Sequence, residues 1–125
     1  MSNDIVRMDV MKGLIIKSPW IDYILNNEKI WEIRGTSTTT RGTIFLIKSG
    51  TDKIYGECDI VDCIELDYSG YKSNIDKHHI TQITDGILPY KRTYAWVLKN
   101  VIKYDKPLTY IKKPGAILWV NVETF

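Results

Sequence analysis

Between residues 26 and 34 the chain reads NNEKIWEIR, where a helix gives way to a strand. Trp31 and Ile33 alternate with Glu32 and Arg34, the period-two signature of a β-strand. Glu32 and Arg34 therefore share one face, with Cα atoms roughly 6–7 Å apart. Trp31 and Ile33 occupy the other face as natural core residues. Lys29 sits just before the strand, after a turn that Asn26-Asn27 can make because Asn tolerates the left-handed backbone of a helix end. A lysine and an arginine thus flank a glutamate at the mouth of a sheet. One use of such a group is an exposed ion pair between Glu32 and Arg34 with Lys29 solvated, which contributes little. The other is to line a cleft, with Glu32 orienting the cations or accepting a hydrogen bond and Arg34 gripping an anion or stacking.

Upstream, MKGLIIK (11–17) is a short β-rich run after a flexible N-terminal segment, residues 1–10. Ser18-Pro19 then predicts a helix start, Ser as N-cap and Pro at the first helical position. Ile21, Ile24 and Leu25 form its apolar stripe. Downstream, GTSTTTRG (35–42) is a polar loop, TIFLIKS (43–49) an apolar strand and IYGECDIVDCIEL (54–66) a longer, bent one. Residues 67–90, rich in Tyr, Asp, Ser and His, show no clear period. YAWVLKNVIKY (94–104) is again a strand, KPLTYIKKPG (106–115) a basic, Pro-punctuated loop and ILWVNVE (117–123) a closing strand. Five to six strands with one early helix describe a small α+β domain over residues 11–125, a partly closed barrel.

Composition bounds the function classes. A chain of 125 residues with 44% apolar and 26% charged side chains is long enough to bury a core without metals or disulfides. The net charge of +2 is too balanced to signal nucleic-acid binding in bulk, although a local basic patch remains compatible with it. No apolar run reaches the roughly 18 residues of a membrane span, and the start lacks the basic and apolar regions of a signal peptide. Cys58 and Cys63, an odd number apart, fall on opposite faces of a strand and so cannot pair within it without a bulge; they are expected as free thiols in a reducing cytoplasm. Without a His at ligand spacing from them, no metal is expected. Eight Tyr and four Trp against two Phe mean that most rings carry a polar group, suited to a core rim or to stacking on a ligand.

The pattern Lys29-x-x-Glu32-x-Arg34 resembles the G-x-K-x-x-E-x-R motif of the ASCH family, the activating-signal-cointegrator homology domains. Ser18-Pro19-Trp20 resembles the family's x-P-W helix start and Arg41-Gly42 its R-G before the next strand. Val61-Asp62-Cys63, Tyr94-Ala95-Trp96 and Ile117-Leu118-Trp119 are similar to later strand segments, so the resemblance spans about residues 11–122. Asn27 stands where the family usually has Gly, a change a left-handed cap tolerates. The resemblance implies a PUA-like β-barrel with an early helix flanking a cleft, and a partner that is RNA or a modified nucleoside.

Around that implied cleft, Lys17 and Ser18 come at the strand-to-helix junction, where free backbone N–H groups favour an anion. Lys48 and Ser49 end a strand, and Trp20 or Tyr94 offers a stacking face. With Lys29, Glu32, Arg34 and Arg41 these make the candidate nucleic-acid site. Lys99, Lys103, Lys106, Lys112 and Lys113 form either a phosphate-tracking stripe or a solvated face. His78-His79 reads as structural or solvated. Three function classes remain: a binding module for RNA or a modified nucleoside, a hydrolase, and a protein-interaction domain with a vestigial cleft. The resemblance extends to compact amidohydrolases acting on acylated cytidine and to ribonucleases; an enzyme of either kind built on this chain's own residues would use Lys29 as base with Glu32 beside it to shuttle a proton, without metal or cofactor. Lys29 matches the amidohydrolase lysine, but Glu32 replaces a Thr, and beyond Lys77-His78 the chain offers Gln82 and Asp85 where a Glu is expected.

Overall fold

The computed structural model describes residues 9–111 and 119–124. Expectations for residues 1–8, for Lys112 and Lys113, and for Ile117-Leu118 lie outside them. The described residues form nine elements in order: β1 (Asp9–Ile16), α1 (Trp20–Leu25), β2 (Trp31–Arg34), β3 (Gly42–Lys48), β4 (Lys53–Leu66), α2 (Tyr68–Lys72), α3 (Ile75–His78), β5 (Thr93–Thr109) and β6 (Trp119–Thr124). The strands make one mixed six-stranded sheet, ordered β2-β5-β4-β3-β1-β6. Among the described residues only β1 and β3 pair in parallel, which places α1 and β2 in the crossover between them. The sheet curls into a half-barrel, an α+β architecture.

Helix α1 buries Ile21, Ile24 and Leu25, the predicted stripe, against Leu14, Ile44, Ile60, Trp96 and Leu98 in the main core. The contact is close because residue 56 lacks a side chain: a Cβ there would come 2.4 Å from the Ile102 carbonyl oxygen and 2.7 Å from Leu25. The helix start departs from expectation. Pro19, not Ser18, holds the cap position, and the Ser18 hydroxyl donates to the Asp22 carboxylate instead of capping the backbone. The end agrees with the sequence, since Asn27 adopts φ 62° and Glu28 N–H and Lys29 N–H both return to the Tyr23 carbonyl.

Two long strands, β4 and β5, carry the bending. Their register shifts at three places, between Ile54 and Gly56, Glu57 and Asp59, and Ile60 and Asp62. The last bulge exposes both Val61 and Asp62 and returns Cys63 to the side of the main core that holds Cys58, so the two thiols do not lie on opposite faces. Both are free. The expected loop at 106–109 is instead strand: Leu108 and Thr109 pair with Ile54 and Lys53. Pro107 is accommodated because it falls inside the widest register shift, where no ladder hydrogen bond is required of it.

The stretch without a sequence period, 67–90, forms α2, α3 and an irregular strap. Asp67 caps α2 by accepting the Gly70 N–H at 2.7 Å. Ile80, Ile83 and Leu88 of the strap pack on a second small core of Trp31, Ile33, Leu66, Tyr71 and Ala95. Trp31 and Ile33 therefore point outward into this satellite core. Glu32, paired opposite Trp96 of the main core, and Arg34 take the inner face of the half-barrel. The α2–α3–strap unit thus holds the motif strand from behind.

Candidate functional site

All four residues of β2 are at least partly buried, and Glu32 is 5% exposed while Lys29 is 1% exposed. The charges of this stretch are thus not a solvated pair. Glu32 is the hub: its Oε2 accepts from Arg34 Nε at 2.9 Å and lies 2.8 Å from Nη2, while Oε1 lies 3.7 Å from Lys29 Nζ. Arg34 Nη2 also donates to the Ile15 carbonyl at 3.1 Å. Strands β1 and β2 are not sheet neighbours, so this guanidinium stitches the curled sheet across its open side. The Arg34 plane also sits 5.7 Å from the Trp96 ring centre, and Trp96 Nε1 donates to Thr36 at 3.0 Å, pinning the polar loop after β2.

Lys29 Nζ donates to the His78 carbonyl at 2.5 Å and lies 5.3 Å from the Trp20 ring centre. Burial pulls the ammonium down from 10.5 to about 8; Glu32 opposes that effect and Arg34 adds to it. A cation this deep is expensive to keep, which marks the position as a candidate site by a physical argument independent of resemblance.

These groups border a cleft of about 500 Å³ where three parts of the chain meet. Lys29, Glu32, Ile33 and Arg34 come from the motif stretch. Ile16, Lys17, Trp20 and Ser49 come from the ends of β1 and β3 and the start of α1. Tyr71, Ile80, Gln82 and Tyr90 come from α2 and the strap. Three cations to one carboxylate leave the lining net positive. Tyr90 is 47% exposed and its ring lies over Gly35, where a Cβ would approach it to 2.9 Å, so one aromatic surface is available at the rim.

Of the residues expected at the site, Lys17, Lys29, Glu32 and Arg34 line the cleft, and so do Trp20 and Ser49. Ser18, Arg41, Lys48 and Tyr94 are outside its lining. Arg41 donates to the Thr38 and Thr40 carbonyls and lies 4.0 Å from Asp62, shaping its own loop. Lys48 pairs with Asp22 at 3.8 Å, and Tyr94 lies beneath Arg92. The helix with Ser18 before it spans six residues and has Asp22 in its first turn, so an anion there meets a carboxylate. Lys99, Lys103 and Lys106 are exposed along β5 and do not line the cleft. Tyr71, Ile80, Pro89 and Tyr90 were not foreseen. The two tyrosines had a prior signal only in the surplus of Tyr over Phe, and Ile80 and Pro89 had none, since the segment that carries them has no period to read.

His78 is buried, not solvated. Gln82 reaches the cleft, whereas Asp85 accepts from Tyr68 Oη at 3.2 Å. Among the described residues no three His, Cys, Asp or Glu side chains converge as a metal would require.

The family model of the ASCH domain matches residues 14–108. The chain belongs to the ASCH domain family, and its curled sheet is a PUA-like α+β fold. Among solved structures, the crystal structure of an ASCH protein from Zymomonas mobilis superposes with a TM-score of 0.64 at 11% identity, covering 79% of this chain and 73% of that one. Two single-substitution variants of that protein superpose equally well, at the same TM-score and identity. At that identity the likeness carries the fold alone. No curated protein matches the chain. Among the described residues, no helix is long and apolar enough to cross a membrane.

Proposed function

We propose that this chain is a binding module whose cleft receives an unpaired nucleotide of RNA or a modified nucleoside. The observation that carries the reading is the buried Lys29–Glu32–Arg34 cluster bordering a net-positive cleft with an aromatic rim. The volume of about 500 Å³ falls within the roughly 300–1,000 Å³ of small-molecule sites and suits a splayed base, not a duplex. Glu32 accepts from an exocyclic amino group, Arg34 and Lys17 meet phosphate, and Tyr90 stacks on the base. Membership of a PUA-like family that generally binds RNA supports the same reading. Two free cysteines accord with a reducing cytoplasm as its location.

A second reading, a small nucleoside amidohydrolase or ribonuclease, is favoured by one observation. Lys29, held at about 8, has an appreciable neutral fraction near physiological pH and lies beside Glu32, as a general base requires. Against it, Gln82 borders the cleft where a carboxylate would complete the amidohydrolase set.

Calorimetric titration with a single-stranded RNA octamer, with cytidine and with N4-acetylcytidine, followed by chromatography of the recovered ligand, separates the two. Salt-sensitive binding with unchanged ligand supports the module. Loss of the acetyl group or cleavage of the octamer, absent in Lys29→Ala, supports the hydrolase. Neither heat nor product overturns both.

A further inference from the structure

His78 is fully buried, and each of its polar atoms is committed. Ring Nδ1 accepts the Ile80 N–H at 3.0 Å, ring Nε2 lies 2.7 Å from the Tyr71 carbonyl, and its own carbonyl accepts from Lys29 Nζ. A backbone N–H can only donate, so Nδ1 must offer a lone pair and the ring proton must sit on Nε2, donated to Tyr71. Only the neutral Nε2–H form fits. An imidazolium would aim an N–H at the Ile80 N–H.

The surroundings favour that neutral form. The Tyr71 ring of α2 stacks on the imidazole with centroids 4.6 Å apart. Lys29 faces it from the stretch before β2, Asp76 from its own helix, and His79 follows it with its ring against Tyr23 of α1. Burial is the largest influence and holds His78 below the ordinary 6.5; the Tyr71 carbonyl and Asp76 oppose it, Lys29 and His79 add to it. Glu32 lies 3.7 Å from the same Lys29 ammonium.

We propose that His78 is the positioning residue of the Lys29 site, and that its protonation opens the cleft. The neutral ring ties α2 to the first residue of the strap, and the carbonyl of the same residue anchors the Lys29 ammonium. Protonation breaks the Ile80 bond and sets a second cation beside Lys29. Ile80, in the cleft lining, then loses its tether and frees the strap that leads on to Gln82, while the Lys29 ammonium, held by the carbonyl of the same residue, meets a second cation. The site is intact at neutral pH and loosens in acid. The inference concerns control of the site assigned above, but the geometry it rests on is that of the free protein.

The test is an NMR pH titration of the isotopically labelled free protein between pH 8.5 and 4.5. It follows the His78 ring nitrogens, the Lys29 side chain and the Ile80 and Gln82 amides, with far-UV circular dichroism reporting the global fold. The expected result is an Nε2–H tautomer at neutral pH and a shared inflection below 6.5 in all four signals, with the fold retained. His78→Asn should remove that inflection while leaving the Lys29 titration near 8, because an Asn side-chain oxygen accepts the N–H two residues on and does not titrate. A Lys29 signal indifferent to the His78 midpoint, an Nδ1–H tautomer, global unfolding at that midpoint, or an unchanged inflection in the variant would overturn the proposal. Should the variant not fold, the wild-type titration decides alone. No nucleic acid is present, so a failure of the RNA reading leaves this result interpretable.

Discussion

Replacing Lys29 with methionine, a side chain of similar length without the charge, tests whether the buried cation is there for the site or for the fold. Burial lowers its pKa from 10.5 to about 8, and at about 1.4 kcal/mol per pKa unit the charged form costs the folded state roughly 3 kcal/mol at neutral pH. Methionine removes that cost. It also leaves the His78 carbonyl without its Lys29 donor, a loss of about 1–3 kcal/mol, while Glu32 keeps Arg34. The two effects leave Lys29→Met between equally stable and about 2 kcal/mol more stable than wild type. The melting temperature should therefore hold or rise by up to about 6 °C. The pH dependence sharpens the test. A lysine whose folded pKa is depressed binds fewer protons in the native than in the unfolded state between about 8 and 10.5. Wild-type stability therefore gains over the variant's as pH rises through that window. Urea unfolding of both proteins at pH 7, 8.5 and 10 gives the difference directly, with contributions from the buried tyrosines cancelling. A variant at least 2 kcal/mol less stable at pH 7, or a difference that does not change with pH, refutes the reasoning.

Other consequences are equally concrete. Arg34→Ala removes both the tie to the Ile15 carbonyl and the stronger partner of Glu32; a loss of about 2–4 kcal/mol is expected in urea unfolding, with a shallower salt dependence of RNA binding by calorimetry. Gly56→Ala drives a methyl against the Ile102 carbonyl, which as backbone cannot yield, and should cost roughly 3 kcal/mol by the same unfolding assay. Cys58, fully buried with its thiol pushed up to about 12, should resist a thiol reagent at pH 8 until the protein unfolds, whereas the partly exposed Cys63 should label in the native state; mass spectrometry of the labelled peptides distinguishes them.

What could be read in advance follows from where local rules suffice. Alternation in Trp31–Arg34 and the stripe of Ile21, Ile24 and Leu25 are set by period alone, and both hold. Asn27 was legible because few residues adopt a left-handed backbone. Three features needed the tertiary fold. Alternation assigns Glu32 and Arg34 to one face but cannot say that this face turns inward, which depends on the curl of the whole sheet. Proline suggested that β5 ends before residue 106, yet a register shift of the partner strand absorbs Pro107. Residues 67–90 contribute helices of five and four residues, too short for a period, and a strap held mainly by three aliphatic contacts. Tyr90 and the His78–Lys29 contact, which spans 49 residues of chain, arise from that segment. Among the cations, Lys29 and Arg34 were separable from Arg41 and Lys48 only once each acquired its partner.

The most direct test of the central claim is amide chemical-shift mapping of the labelled protein on adding a single-stranded RNA octamer. Shifts should be confined to residues that line or flank the cleft: Lys17 and Trp20, Lys29 to Gly35, Ser49, and the strap from Ile80 to Tyr90, all diminished in Arg34→Ala. Shifts centred on the exposed lysines of β5, Lys99, Lys103 and Lys106, with the cleft silent, would contradict it.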